Sequence, residues 1–231
     1  MPNWCNNFIE ISGTKSDMKP IYDFFVDSQK KLEEYSNKKK QYIQEHPELE
    51  LNMWSNIEGI TLDEILVMNT LVPHNEEYNQ IKESGEFLVN PQQAFYGTKW
   101  DFDFESANVN DVTEEFISFA PSTAWSPPTE FCEKLAKKFN VTINLQYEEG
   151  GVGFVGKETF TSEGMIEQEF YDDYYEGLYN LDKETFWSMV ESELEDLDDI
   201  TEEEFLNKFP YVNESDKEQL KNDYNDYKTE D

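Results

Sequence analysis

The chain has few of the residues that build metal centres and disulfide frameworks. Its 231 residues include two cysteines, Cys5 and Cys132, and two histidines, His46 and His74. Two cysteines are too few for a disulfide framework, and we expect a reducing cytoplasm. No C-x-x-C or H-x-x-x-H pair has metal-binding spacing, and no G-x-S-x-G elbow indicates a nucleophile. We therefore predict a protein that is not an enzyme and has no metal or other cofactor.

Long apolar runs are also missing. No segment approaches the ~20 apolar residues that a membrane-spanning helix needs. The first residues, MPNWCNNFIEIS, lack the basic stretch and apolar run of a signal peptide. Hydrophobic residues make up 37% of the chain and aromatic residues 15%. This composition predicts a core built on Phe, Trp and Tyr more than on Leu and Val.

Positive charge is scarce. The chain has 18 basic residues against 51 acidic ones, which gives a formal net charge of −33. Such a surface repels nucleic acid and anionic membranes, because binding to phosphates requires Lys and Arg. It attracts basic proteins and steers their approach. We expect a basic protein partner, with no direct binding of nucleic acid or membrane; solubility is the alternative reason for the excess acid.

The first 162 residues predict an α+β fold. Strands are expected at about residues 5–12, 99–106, 113–120 and 141–147, with another from Phe154. Helices are expected at about residues 17–44, with Ser16 as the cap, and 129–139. Residues 47–93 read as an insertion with one short helix, which a capping box at Thr61-Leu-Asp-Glu64 would begin. Strand, helix, strand, strand, helix, strand is the order of a ferredoxin-like sandwich, an antiparallel sheet with helices on one face.

The segment at residues 99–106 gives the clearest alternation. Three aromatic residues, Trp100, Phe102 and Phe104, alternate with three acidic ones, Asp101, Asp103 and Glu105. Period-two alternation predicts a strand with one aromatic face and one acidic face toward solvent.

Residues 163–231 differ in composition. They hold 24 acidic and 5 basic side chains, a net charge of −19, whereas the first 162 residues have −14. An apolar stripe predicts a helix that begins near Asp182. The stripe is Trp187, Val190, Leu194 and Leu197. Capping boxes at Thr201-Glu-Glu-Glu204 and Ser215-Asp-Lys-Glu218 predict two further helices. We interpret residues 163–231 as an acidic helical subdomain.

Four motifs resemble one known family. They are Met-Pro-Asn-Trp-Cys-Asn-Asn at the start, Tyr96-Gly-Thr-Lys-Trp-Asp101, Trp125-Ser-Pro-Pro128 and Tyr147-Glu-Glu-Gly-Gly-Val-Gly-Phe154. Together they resemble the YubB-like proteins carried by plasmids and bacteriophages, which are described as containing a ferredoxin-like domain. The resemblance covers about residues 1–160. It implies the ferredoxin-like fold and an origin on a mobile element, and it implies no established activity.

A glycine-rich segment, Gly151-Val-Gly-Phe-Val-Gly156, matches the G-x-G-x-x-G pattern. A dinucleotide site needs that pattern between a first strand and the helix whose N-terminus binds the pyrophosphate. Here the pattern follows a late strand, and the residues after it read as another strand. A hairpin turn is therefore the favoured interpretation.

The acidic helices carry the main functional hypothesis. Nine of the fourteen residues at 191–204 are acidic, so a helix there would approach the charge density of duplex DNA within a factor of about two. We predict a DNA or RNA mimic that blocks the basic surface of a nucleic-acid-binding host protein or defence complex. The predicted binding carboxylates are Glu193, Glu195, Asp196, Asp198, Asp199, Glu202, Glu203 and Glu204. Asp172, Asp173, Tyr174 and Tyr175 would add anchors.

Other interpretations stay open at this stage. The acidic helix face could be merely solvated. A second class of function is a nucleotide- or RNA-binding ferredoxin-like module that uses Trp100 and Trp125 to stack bases. A third is an enzyme whose site is assembled only in the folded chain.

Overall fold

The chain folds into two compact units. The computed structural model describes residues 3–49, 52, 57–84, 90–195 and 200–230. One unit, here the sheet unit, comprises Met1–Tyr147 and Glu158–Gln168; the other, the helical unit, comprises Glu148–Lys157 and Glu169–Asp231. Within the described ranges no helix is both long enough and apolar enough to cross a membrane.

The sheet has the predicted topology. Its strands are β1 (Trp4–Ser12), β2 (Val109–Val112), β3 (Phe116–Phe119), β4 (Ser122–Ala124), β5 (Thr142–Glu149), β6 (Phe154–Thr161) and β7 (Gly164–Tyr171). The strand order is β2-β3-β1-β5-β6-β7, and β4 pairs with β1. With helices after β1 and before β5, the order β2-β3-β1-β5 is the ferredoxin-like arrangement. The predicted fold class is confirmed.

Helix α1 (Lys15–Glu45) follows β1. Its N-cap is Thr14, whose side-chain oxygen accepts a hydrogen bond from the Asp17 backbone N–H at 3.3 Å. The predicted cap at Ser16 is therefore wrong, because Ser16 already lies in the first turn. The helix ends at Glu45, with His46 as its C-cap, just before Pro47. This end is as predicted, because proline cannot continue the helical hydrogen bonds.

The core of the sheet unit is aromatic. The Phe25 ring of α1 lies 5.3 Å from the Phe104 ring and 5.1 Å from the Phe119 ring of β3, measured between centroids. In β1 the buried side chains alternate with more exposed ones, and Ile9 and Ile11 lie opposite Phe119 and Ile117. Edge-to-face aromatic packing thus fills the space between sheet and helices.

The predicted strand at residues 99–106 is wrong. Phe104–Ser106 is a short 3₁₀ helix, and Asp101 does not face solvent. The Asp101 carboxylate accepts backbone N–H bonds from Met68 (2.8 Å) and Asn69 (2.7 Å), at the start of helix α2 (Val67–Leu71). Burial raises the pKa of Asp101, while these hydrogen bonds act in the opposite direction.

The insertion is more helical than predicted. Helix α2 is followed by α3 (Glu76–Glu83) and α4 (Pro91–Tyr96), and helix α5 (Thr129–Phe139) comes before β5. The predicted capping box at Thr61 is wrong, because α2 begins only at Val67. Leu66, at the N-cap position, has no side chain that can cap. Asp101 supplies the missing acceptors from 30 or so residues away, which no local motif can indicate.

The helical unit has its own core. Its helices are α6 (Tyr174–Leu181), α7 (Lys183–Glu195), α8 (Glu202–Leu206) and α9 (Glu214–Glu230). The largest fully buried side chains among them are Phe186, Phe205 and the neighbouring Phe209. Val190 and Leu194 are buried as predicted, whereas Trp187 is only partly buried because Phe186 occupies the core position. Leu197 lies outside the described residues.

The predicted boundaries of this region need two corrections. Residues 164–171 form strand β7, so the helices begin at Tyr174. The capping box at Thr201 is confirmed, but the one at Ser215 is wrong. Ser215 lies inside α9, and the Asn213 side-chain oxygen accepts the Asp216 backbone N–H at 3.0 Å instead.

Candidate functional site

The predicted acidic residues do not form a single helical array. Helix α7 ends at Glu195, and Thr201 has the extended backbone of an N-cap before α8. Glu193 and the triplet at residues 202–204 therefore lie on separate helices. Asp196, Asp198 and Asp199 lie outside the described residues, as does the side chain of Glu195. Thr201 thus separates two helices, as the predicted capping box requires, and the charge density of one continuous helix over residues 191–204 does not apply.

Some of the predicted carboxylates bond within the helical unit. Glu193 accepts hydrogen bonds from the Tyr175 hydroxyl at 2.6 Å and from the Lys208 ammonium at 2.5 Å. Lys208 first, and then Tyr175, lower the pKa of Glu193. Burial, with the Glu193 hydrogen bond, raises the pKa of Tyr175 to about 12. Glu204 accepts the Thr201 backbone N–H at 2.8 Å as the second half of the capping box.

The predicted anchor residues around the start of α6 also make hydrogen bonds within the helical unit. The Asp173 carboxylate accepts the Glu176 backbone N–H at 2.9 Å and caps α6. Tyr174 is half-buried, and its hydroxyl donates to Glu148 at 2.9 Å. Tyr174 and Tyr175 thus orient carboxylates of their own unit, and their hydroxyls are not free contact groups.

A third tyrosine of this kind was not anticipated from the sequence. The Tyr179 hydroxyl donates to the Asp216 carboxylate at 2.7 Å and accepts the Asn213 side-chain amide at 2.6 Å. Lys183 also donates to Asp216, at 2.9 Å. Lys183 first, and then Tyr179, lower the pKa of Asp216. The spacing of Asn213 and Asp216 is an N-cap signal, but nothing local in the sequence points to Tyr179.

Further carboxylates of α7, α8 and the turn before α6 are open to solvent. Within the described part of the chain, Asp172, Glu191 and Glu203 are exposed and make no side-chain hydrogen bond or ion pair. We use the term acidic surface for these three with Asp173, Glu193, Glu202 and Glu204. Its charges lie on two helices, α7 and α8, and on the turn before α6. Tyr175 orients Glu193, and Thr201 orients Glu204.

The glycine-rich segment is a hairpin turn, as favoured. The buried Glu149 carboxylate accepts the backbone N–H groups of Gly151 (2.9 Å) and Val152 (2.5 Å). Those N–H groups are the ones that a phosphate would need, so the turn does not offer a dinucleotide site. Among the described residues no group of three or more His, Cys, Asp or Glu side chains could hold a metal ion.

The structure brings three exposed tryptophans of the sheet unit into one neighbourhood. Trp4 is 53% exposed, and Trp100 and Trp125 are each 43% exposed. The Trp4 and Trp100 rings lie 6.3 Å apart, tilted by 53°. Trp4 lies opposite Ala124 in the β1–β4 ladder, and the Trp125 backbone N–H donates to Asn3 at 2.9 Å. Each tryptophan comes from a different one of the motifs noted in the sequence.

A cleft of about 130 Å³ is lined by the first two indoles. We call it the Trp4–Trp100 cleft. Its lining is Trp4, Trp100, Asp101, Phe102, Asp103, Ser106, Ser122, Thr123 and Ala124. The Lys99 ammonium lies 5.0 Å from the centroid of the Trp100 ring, a cation–π distance.

The loops that carry Trp100 and Trp125 are fixed to each other. The Thr98 hydroxyl donates to the Ala124 carbonyl at 3.0 Å, and the Ser126 hydroxyl donates to the Gly97 carbonyl. Gly97 has φ +88°, and the structure leaves no space for a side chain there. These motif residues therefore position the loops, while the tryptophans remain accessible.

A comparison with known protein families agrees with the fold. A family model described as the ferredoxin-like domain in Api92-like protein matches residues 95–191. Among solved structures, the chain is similar to protein api92 from Yersinia pseudotuberculosis at 10% identity and a TM-score of 0.40. That alignment covers 74% of this chain and 98% of the other. No curated protein matches. The residues that match the family model run from the end of α4 into α7.

Proposed function

We propose that the protein is a non-enzymatic acidic binding protein whose helical unit blocks the nucleic-acid-binding surface of a basic partner. The observation that carries the proposal is the acidic surface, which lies on a unit with its own aromatic core. Within this surface the Tyr175 hydroxyl holds Glu193, and Thr201 holds Glu204. Oriented carboxylates on a folded support resemble the fixed phosphates of nucleic acid more than a flexible acidic tail does.

Charge supports a basic partner. Residues 163–231 carry a net charge of −19, and the whole chain carries −33. A field of this size accelerates encounter with positive surfaces and weakens as salt rises, because the Debye length falls to about 8 Å at physiological ionic strength. The mimicry proposal does not require one long acidic helix, since the surface combines α7, α8 and the turn before α6.

A mobile-element origin, which the family resemblance implies, would narrow the choice of partner. The four sequence motifs resemble plasmid- and phage-borne proteins, and a mobile element benefits from disabling a host defence nuclease or its surveillance complex. Such complexes grip nucleic acid through lysine- and arginine-rich grooves. We therefore propose a host defence protein or complex as the partner, met in the bacterial cytoplasm.

The alternative function, base stacking by a nucleotide- or RNA-binding module, is less well supported. Trp100 and Trp125 are exposed, as stacking requires. A chain with a net charge of −33 would however repel phosphates. In the described part of the chain, the cation placed over the Trp100 ring is Lys99. Binding that resists moderate salt and is lost in Trp100→Ala would favour this alternative.

A charge-reversal experiment tests the proposal. Asp172, Glu191 and Glu203 are changed to Lys together, since none of them supports the fold through a side-chain contact in the described structure. A matched control changes Glu105, Asp111 and Glu115, three exposed acids of the sheet unit, to Lys. The net charge of each variant rises by six, since three carboxylates are lost and three ammonium groups are gained. A third variant changes Glu195, Asp196, Asp198 and Asp199 to Lys.

The two matched variants separate surface recognition from bulk charge. A nucleic-acid-binding protein that the wild type retains should be lost by the first variant and retained by the control. It should also elute with salt and be displaced by added DNA or RNA. Equal loss in both matched variants would show that only net charge matters, and equal retention would remove the acidic surface from the proposal.

A further inference from the structure

We infer that the Trp4–Trp100 cleft is a binding site for a single cationic side chain, a guanidinium or ammonium group presented by an extended segment of a partner protein. The site belongs to the sheet unit alone. It is separate from the acidic surface, so neither proposal requires the other.

The size of the cleft suits one side-chain end. Its volume is about 130 Å³, close to the ~150 Å³ of a cavity that accepts benzene. The Trp4 and Trp100 rings pack against each other at 6.3 Å between centroids, and both line the cleft. Phe102 and Ala124 contribute further apolar lining. A planar guanidinium or a methylene stem with an ammonium head can lie against such indole faces.

The charges that line the cleft favour a cation. Asp101 and Asp103 both contribute to the lining, and their carboxylates are held by backbone N–H groups, Asp103 by Ile65 at 2.7 Å and Glu105 at 2.9 Å. The Lys99 ammonium already lies over the Trp100 ring, so that indole attracts a cation from its own chain. Carboxylates beside aromatic faces attract cations and repel a phosphate or a partner carboxylate.

Backbone strain beside the cleft is an independent indication of function. Trp125 has φ +74°, a left-handed conformation that is rare for a bulky residue. Its N–H bond to Asn3 and the Thr123 hydroxyl bond to the Ser126 carbonyl hold it there. The side chain nevertheless stays 43% exposed, so core packing does not explain the strain. Strain of this kind is concentrated at binding and active sites.

The test uses two small peptides and the intact chain. Acetyl-Gly-Gly-Arg-Gly-Gly-amide is titrated at physiological salt while the indole N–H resonances are followed by NMR. The same peptide with citrulline replacing arginine keeps a planar side-chain end of nearly the same shape but has no charge, and a carbonyl oxygen replaces one of its amino groups. We expect the Trp4 and Trp100 resonances to shift with the arginine peptide and to stay in place with the citrulline peptide.

Variants assign the effect to the cleft. Trp4→Ala and Trp100→Ala should each weaken binding about 5- to 30-fold, as removal of one cation–π contact predicts. Phe170→Ala removes an aromatic side chain of similar exposure in the helical unit and should leave binding unchanged. If an alanine variant fails to fold, Trp100→Phe keeps a ring and should show a smaller loss.

Three results would overturn the inference. One is equal binding of the arginine and citrulline peptides, and another is an unchanged affinity in folded Trp4→Ala and Trp100→Ala. The third is a shift of these indole resonances with oligothymidylate but not with the arginine peptide, which would identify the cleft as a base-stacking site. Because the acidic surface is intact in all of these variants, failure here does not affect the proposed function.

Discussion

The position of Gly97 gives the sharpest test of how the tryptophan loops are built. A Cβ atom at Gly97 would lie 2.8 Å from the Pro127 carbonyl oxygen and 2.9 Å from the Thr129 backbone nitrogen. It would also meet the Glu130 carboxylate, which could move aside. The two backbone atoms cannot move cheaply, because they form the turn into α5. We therefore expect Gly97→Ala to strain the junction of the two loops.

The size of the effect can be separated into two parts. The left-handed conformation at φ +88° costs an L-residue about 1–2 kcal/mol. Alanine regains about 0.4–1 kcal/mol of that cost, because glycine loses more conformational entropy on folding. Forcing a methyl group against fixed backbone adds about 1–3 kcal/mol. Gly59 isolates the conformational cost, since it has φ +80° and no atom of the described residues lies within 4 Å of an added Cβ.

The assay is urea unfolding of the two variants and the wild type, followed by tryptophan fluorescence. Gly59→Ala should lower the free energy of unfolding by about 1 kcal/mol and Gly97→Ala by about 2–4 kcal/mol. The reasoning would be refuted if both variants lost the same stability, because the close backbone contacts at Gly97 would then have no energetic consequence.

Three further predictions follow from the same contacts. Trp125→Gly should be more stable than Trp125→Ala by about 1 kcal/mol, the reverse of the usual order, since only glycine adopts φ +74° without strain; denaturant unfolding of the pair checks it. Tyr179→Phe should cost about 1–3 kcal/mol in thermal unfolding, because it leaves Asp216 and Asn213 without their shared partner. Asp216→Asn should destabilise the chain at pH 7. Because the pKa of Asp216 is lowered in the fold, that difference should disappear as the pH falls below about 3.8, and a difference that persists in acid would contradict it.

The sequence predicts the elements whose signals are local. Strand β1 and helix α5 were found because their apolar residues follow periods of two and 3.6. The fold class follows from the order of strands and helices along the chain, although the second strand is Val109–Val112 and not residues 99–106. The Thr201 cap was found because its partner Glu204 is three residues away.

The caps predicted at Ser16 and Ser215 are local errors, because the true caps, Thr14 and Asn213, lie two residues earlier. The other failures below share one physical cause, which is contact between residues far apart in the chain. Asp101 and Asp103 alternate with aromatics, as in a strand, yet their carboxylates cap backbone groups at residues 65–69. The carboxylate that orients Tyr175 comes from Glu193, in the next helix. The meeting of Trp4 with Trp100 depends on the register of β1 with β4, which no single segment encodes.

The central claim is that the acidic surface recognises a nucleic-acid-binding protein. The most direct measurement is affinity capture from a bacterial lysate with the wild type, the Asp172, Glu191 and Glu203 reversal, and the matched control, each eluted by salt and then by duplex DNA or RNA. The account predicts one nucleic-acid-binding protein or complex retained by the wild type and the control, released by nucleic acid, and absent from the reversal variant. Recovery of the same proteins by all three, with no release by nucleic acid, would contradict it.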